Sequence, residues 1–170
     1  MDIPFSCNLL FIRKTMSLDT QNQDRSGMLA GGNWIIDQVK IIDVYPKHEQ
    51  LANISAQSQG TGGSPYNVLL DLAKMGASFP LEGAGLVGQD ALGEYILEDC
   101  RKHNIDPRFI SISPGTSTSY TDVMTEIEGG RRTFFHNRGA NATWDGSEIE
   151  FSSSSAKIFH LGYLLLLDAI

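Results

Sequence analysis

From Gly60 to Asn104 the chain reads GTGGSPYNVLLDLAKMGASFPLEGAGLVGQDALGEYILEDCRKHN, and this stretch decides the fold class. Pro65 stands where a first helical residue belongs, since the N–H it lacks would have no intrahelical partner there. Val68, Leu69, Leu72 and Met75 follow at helical spacing, which predicts a helix over 65–75, and Gly76 ends it. Leu81 to Val87 is a strand of small and apolar residues, and Gly88 to Asp90 is a turn with Asp90 placed as an N-cap. Ala91 to His103 is a second helix with Leu92, Tyr95, Ile96 and Cys100 on one face, and Asn104 closes it. Helices alternating with strands across glycine turns are the α/β pattern rather than that of a bundle or a sandwich.

Upstream, Trp34 to Val44 is rich in Ile and Val and reads as one strand or two, interrupted by Asp37 and closed by Pro46. Gly60 to Ser64 reads as a flexible turn. Downstream of Pro107, Phe109 to Ile112, Tyr120 to Ile127 and Arg132 to His136 read as strands of a β-rich insertion. Glu128, Gly129 and Gly130 turn a hairpin between the last two. After the polar stretch 145–155, Ala156 to Gly162 is expected to be a buried strand, and Tyr163 to Ile170 is an apolar run that would leave a hydrophobic edge facing water. The first 28 residues are read as a poorly ordered extension, because residues 17–27 are polar and aperiodic. The apolar run Phe5 to Ile12 is too short and wrongly flanked for a membrane span or a signal peptide.

Charge and composition exclude some partners. With 13 basic and 20 acidic residues the net charge is -7, which repels a phosphate backbone, so nucleic acid is not expected. A hydrophobic content of 41% supports a core of ordinary size for one domain. Cys7 and Cys100 are too few and too far apart for a disulfide framework or a metal cluster, and a reduced, cytoplasmic setting is the expectation.

Two segments invite a chemical reading. Gly83, Gly85 and Gly88 spell GAGLVG, which matches the dinucleotide fingerprint and precedes a helix. A nicotinamide-dependent enzyme is one reading; a small-residue strand is the other. The second is favoured, because a strand and a helix already precede the motif and because Phe79 to Glu82 make a poor buried strand. No glycine-lysine-serine or glycine-lysine-threonine phosphate loop occurs. The second segment is Gly62, Gly63 and Asn67, where glycines let a backbone approach a ligand and an asparagine offers donor and acceptor to a hydroxyl. A plain turn at a helix start explains those residues equally well.

GGNWIID at 31–37, GGSPYN at 62–67, GLVGQDALG at 85–93 and RGAN at 138–141 arrive together in one order. In that order and approximate spacing the chain resembles the ribokinase-like (phosphofructokinase B) carbohydrate kinases over residues 29–168. The match covers the amino-terminal half of a member. The resemblance implies an α/β fold in which part of a parallel central sheet is flanked by helices and carries a small β-lid. Asp37 resembles the carboxylate near the end of the first strand that accepts hydrogen bonds from sugar hydroxyls. Gly62, Gly63 and Asn67 resemble the sugar-binding turn, although Ser64 and Pro65 stand where members usually carry lysine, or a similar residue, and glycine. Ile35 replaces an asparagine common in the family, so that one hydroxyl contact is either missing or replaced by Asn33. Asn141 resembles a residue kept near the substrate and phosphate region, with a plain turn residue as the other reading.

Arg131, paired with Arg132, stands where ribokinases are expected to place a glutamate after the hairpin. The reversal argues against ribose and towards an anionic or otherwise different substrate, reached by Arg131 or Arg132 from the lid; a solvated hairpin with two exposed cations is the other reading. Gly88 and Asp90 are read as structural. His136 and His160 stand singly in strand patterns and are read as core residues without chemistry.

The same resemblance implies a kinase that transfers the ATP γ-phosphate to a sugar hydroxyl, with ATP and Mg2+ as cofactors and a homodimer formed through the lid. Members hold the phosphates and the catalytic aspartate in a glycine-alanine-glycine-aspartate motif that this chain lacks. Truncation before the ATP-binding half is therefore expected, and residues 1–170 alone should bind a sugar, not ATP, and be inactive. A non-catalytic carbohydrate-binding or regulatory module is the alternative.

Overall fold

The computed structural model of the protein describes residues 25–170. The expected disorder of the amino-terminal extension, the run Phe5 to Ile12 and Cys7 lie outside the described residues, apart from 25–28. There the Ser26 amide already bonds the Ser155 carbonyl, and Met28 opens the first strand.

Two four-stranded sheets make up the molecule. The first holds β1 (Met28–Gly32), β4 (Leu81–Gly88), β5 (Asp106–Ser113) and β8 (Ile158–Gly162) in the order β5-β4-β1-β8, with all three pairings parallel. The second holds β2 (Ile35–Ile42), β3 (Ile54–Gly62), β6 (Tyr120–Glu126) and β7 (Arg132–Asn137) in the order β3-β2-β6-β7, and only the β2–β6 pairing is parallel. Helices α1 (Ser64–Lys74) and α2 (Ala91–Lys102) form close to the expected bounds. Asp90 caps α2 by accepting from the Gly93 amide, and Gly76 takes a left-handed conformation just past α1.

Parallel sheets need both faces covered, and alternation along the strands does this. Ala30 and Val87 face Tyr66 and Leu69 of α1 and Ile96, Leu97 and Cys100 of α2 in one core. Their neighbours Leu29, Ala84 and Leu86 turn the other way onto Phe109, Trp144 and Leu167. No described helix is long and apolar enough to cross a membrane.

The structure corrects four expectations. Phe109 to Ile112 is no part of an insertion: β5 lies beside β4 in the parallel sheet. Gly60 to Gly62, read as a turn, ends strand β3, and the turn is Gly63 alone. Glu82, taken as a mark of a poor buried strand, is fully buried in β4, where its carboxylate accepts from the Ser154 and Ser155 hydroxyls and the Ser155 amide. Finally, β8 is exposed at Ile158 and Phe159, because it pairs only with β1 and forms the edge of the sheet.

Candidate functional site

The chain crosses from the first sheet to the second through Asn33 and Trp34, and the site is built around that crossing. Trp34 is fully buried, its indole N–H donates to the Ala84 carbonyl at 2.6 Å, and its ring meets Tyr66 edge-on at 6.1 Å. Gly83 and Gly85 are small to make room for it, since a Cβ on either would press into the indole. The Gly88 amide is taken by the Thr118 hydroxyl at 2.9 Å, and a Cβ there would overlap the 116–118 backbone. The three fingerprint glycines thus face protein rather than a pyrophosphate, which removes the geometric basis of the nicotinamide reading.

Asn141 completes the crossing. Its side-chain carbonyl accepts from the Trp34 amide at 3.3 Å and its NH2 donates to the Trp34 carbonyl at 2.8 Å, so the side chain takes the place of a strand partner. It is buried and tied to backbone, and it supports the cleft residues Asn33 and Ile35 on either side of Trp34 without itself lining the cleft.

Beside the crossing lies an open cleft of ≈ 300 Å³, lined by Asn33, Ile35, Asp37, Gly63, Asn67, Thr121, Phe134, His136, Tyr163 and Leu166. Four of the residues singled out in the sequence, Asn33, Asp37, Gly63 and Asn67, meet here. Gly63 adopts φ 98° and ψ 152°, and a Cβ would collide with the Asn33 carbonyl, so only glycine lets the turn pass this close. Gly62 backs the cleft from the end of β3 and leaves the space that the Asp37 carboxylate fills. Asp37 is the third residue of β2, in the second sheet, rather than near the end of the first strand. Asn33 is fully buried, and neither its amide nitrogen nor its oxygen has a hydrogen-bond partner. An orphaned pair of this kind costs about 1–3 kcal/mol per group unless something binds it.

Burial pushes the Asp37 carboxyl above its ordinary range, opposed by the positive potential of His136 and Arg132. His136 is held below the ordinary imidazole value, first by burial and then by Arg138, while the Tyr120 backbone and the charge of Asp37 pull the other way.

Arg131 is not at the cleft. It sits at the hairpin end with its side chain 78% exposed and pairs with Glu126 at 2.8 Å, which corrects its expected contact with substrate. Its neighbour Arg132 stacks over the Phe134 ring, 5.7 Å from the centroid.

The sequence reading missed His136, Thr121, Phe134, Tyr163 and Leu166. Period-two alternation puts Phe134 and His136 on one face of β7, but only the pairing of three strands shows that this face is the one bearing Asp37. The start of α2 is capped by the Asp90 carboxylate, which repels phosphate, and Pro65 in the first turn of α1 has no N–H to give.

This architecture, a parallel sheet flanked by helices with a second mixed sheet over one end, is that of the ribokinase-like proteins. Residues 32–169 match the pfkB family carbohydrate kinase model, and the chain belongs to that family. It is 28% identical over 156 residues to "Probable fructokinase-6, chloroplastic" of Arabidopsis thaliana, covering 91% of this chain and 39% of the relative. It is 26% identical to "Probable fructokinase-7" of the same plant, covering 91% and 44%. Among solved structures, ribokinase from Thermotoga maritima shares the fold at a TM-score of 0.68 and 19% identity, over 79% of this chain and 45% of that one. Arabidopsis thaliana ribokinase, solved with ribose and ATP, does so at 0.65 and 19%, over 81% and 45%. The chain thus spans less than half the length of these relatives.

Proposed function

We propose that the chain is the substrate-binding part of a carbohydrate kinase, holding a neutral sugar in the cleft between the Gly63 turn and the second sheet. The observation that carries this reading is the orphaned Asn33 amide, buried in the same wall as Asp37, Gly63 and Asn67. A polyol matches such a site: its hydroxyls donate to the Asp37 carboxylate and exchange bonds with the two amides, while its C–H face rests on Phe134 and Leu166. A neutral sugar fits better than an anionic one, because a carboxylate faces the cleft and Arg131 points away from it. Residues 29–170 act on this reading as platform and lid. ATP and Mg2+ would be held by the part of the family fold that these 170 residues do not span, and ATP would supply the phosphoryl group. Without that part the chain binds its sugar and does not turn it over. A non-catalytic sugar-binding module would use the same cleft; family membership favours the kinase.

Two further expectations belong to this proposal. The reducing, cytoplasmic setting is one; Cys100, buried and with its thiol pushed up to about 12, stays protonated and unreactive. Pairing of two copies through the lid is the other, and sedimentation of the chain tests it. The cleft itself is tested by calorimetric titration with D-fructose, D-ribose and gluconate. Neutral-sugar binding that weakens about tenfold or more in Asp37→Asn is the expected result, and failure of every neutral sugar to bind overturns the proposal.

A further inference from the structure

Asp37, Thr121 and His136 are register partners across three adjacent strands: Asp37 pairs with Thr121 and Thr121 with His136. Register partners share a face, and all three residues line the cleft. Two strand spacings separate the outer pair, roughly 9.5 Å between backbones, and only the short Thr121 side chain stands between them. On the far side of Asp37 the row continues into Gly60, which has no side chain to fill it. The row is therefore a notch with an acceptor at one end and an imidazole at the other. The ring is oriented: its Nδ1 meets the Thr121 hydroxyl at 2.9 Å, which leaves Nε2 as the polar atom for a ligand. Phe134, two residues before His136 on the same face, supplies an apolar wall.

We infer that His136 and Asp37 form a two-point clamp on one edge of the substrate, with His136 as a specificity-determining residue that selects a neutral sugar carrying hydroxyls at both ends of the notch. This rests on the reading of the cleft as a sugar site. The imidazole, which burial and Arg138 hold below its ordinary pKa, exchanges one hydrogen bond with a hydroxyl. Arg132, the other cation near Asp37, is stacked on Phe134.

The test uses the full 170-residue chain and the neutral sugar that titration shows to bind, together with its monodeoxy derivatives. The chain has four histidines, so their ring signals in NMR spectra can be resolved and the one lost in His136→Ala assigned. Sugar should move the His136 signal. His136→Ala should weaken binding about tenfold, and His136→Gln, which keeps a polar atom, should recover most of it. One monodeoxy sugar should bind the wild type about tenfold more weakly yet lose nothing further in His136→Ala. Should His136→Ala lower the melting temperature, the deoxy series measured on His136→Gln decides instead: the same deoxy sugar should again show the largest loss, and an even loss across the series overturns the clamp. If Asp37→Asn loses sugar while His136→Ala binds like wild type, the clamp is overturned and the cleft stands. If no neutral sugar binds, both are overturned.

Discussion

Asp37 is half-buried, and its surroundings hold its proton more tightly than water does. The sign of the resulting pH dependence follows. A carboxyl whose native pKa is raised contributes most to stability below its ordinary value and loses that contribution as pH rises through the native one. Asp37→Asn does not titrate, so its melting temperature relative to wild type should climb between about pH 4 and pH 7; a constant difference across that range would show that burial does not act on this group. The variant that loses sugar should thus gain stability on the wild type as the pH approaches neutral, as expected where a functional group is held against its own preference. Gly63 is the opposite case, a residue whose absent side chain is its function. Gly63→Ala forces a Cβ into the Asn33 carbonyl at φ 98°, and the strained backbone alone costs about 1–3 kcal/mol. Denaturant unfolding should show at least that loss, and an unchanged midpoint would contradict the turn geometry.

At the level of elements, the two helices and β4 were readable because periodicity, Pro65, Asp90 and Gly76 all agreed. Strand β3 was not. Its sequence, ISAQSQGTG, is exposed over most of its length and so carries no hydrophobic alternation. Strand β5 was seen as a strand but assigned to the wrong sheet, because Pro107 at its start resembles a break and pairing partners leave no local mark. The glycines of β4 match a nucleotide motif, yet what Gly83 and Gly85 accommodate is Trp34, fifty residues from Ala84 in sequence, and Gly88 packs on the 116–118 backbone. Gly85→Ala tests this: a Cβ there displaces the Trp34 ring, with an overpacking cost of about 1–3 kcal/mol. In a Trp144→Phe background, Trp34 emission should shift to the red. Unchanged emission and stability would mean that the indole is not seated on that strand.

Across the whole molecule, the resemblance carried the parallel sheet, the second sheet and the four cleft residues Asn33, Asp37, Gly63 and Asn67. It did not carry the opposite wall. Thr121 and His136 reach the cleft through strand register, and Tyr163 and Leu166 through the path of the chain after β8; neither is written in a local pattern. The two sheets are joined by more than the covalent crossings. Asn141 ties the passage from β7 to the passage from β1 through Trp34, and Asp90 binds the Thr118 amide and hydroxyl at 2.8 and 2.6 Å, securing the approach to β6 against α2. Each tie is a side chain standing in for a ladder bond at a place where neither sheet has one to offer. Such fastenings bear on cooperativity: platform and second sheet should melt in a single transition, with calorimetric and van't Hoff enthalpies equal. Asn141→Ala removes the partner of two buried backbone groups, at about 1–3 kcal/mol each, and should split that transition so that hydrogen exchange in β2, β6 and β7 becomes faster than in β1 and β4. Uniform acceleration in both sheets would place the coupling elsewhere than in this one asparagine.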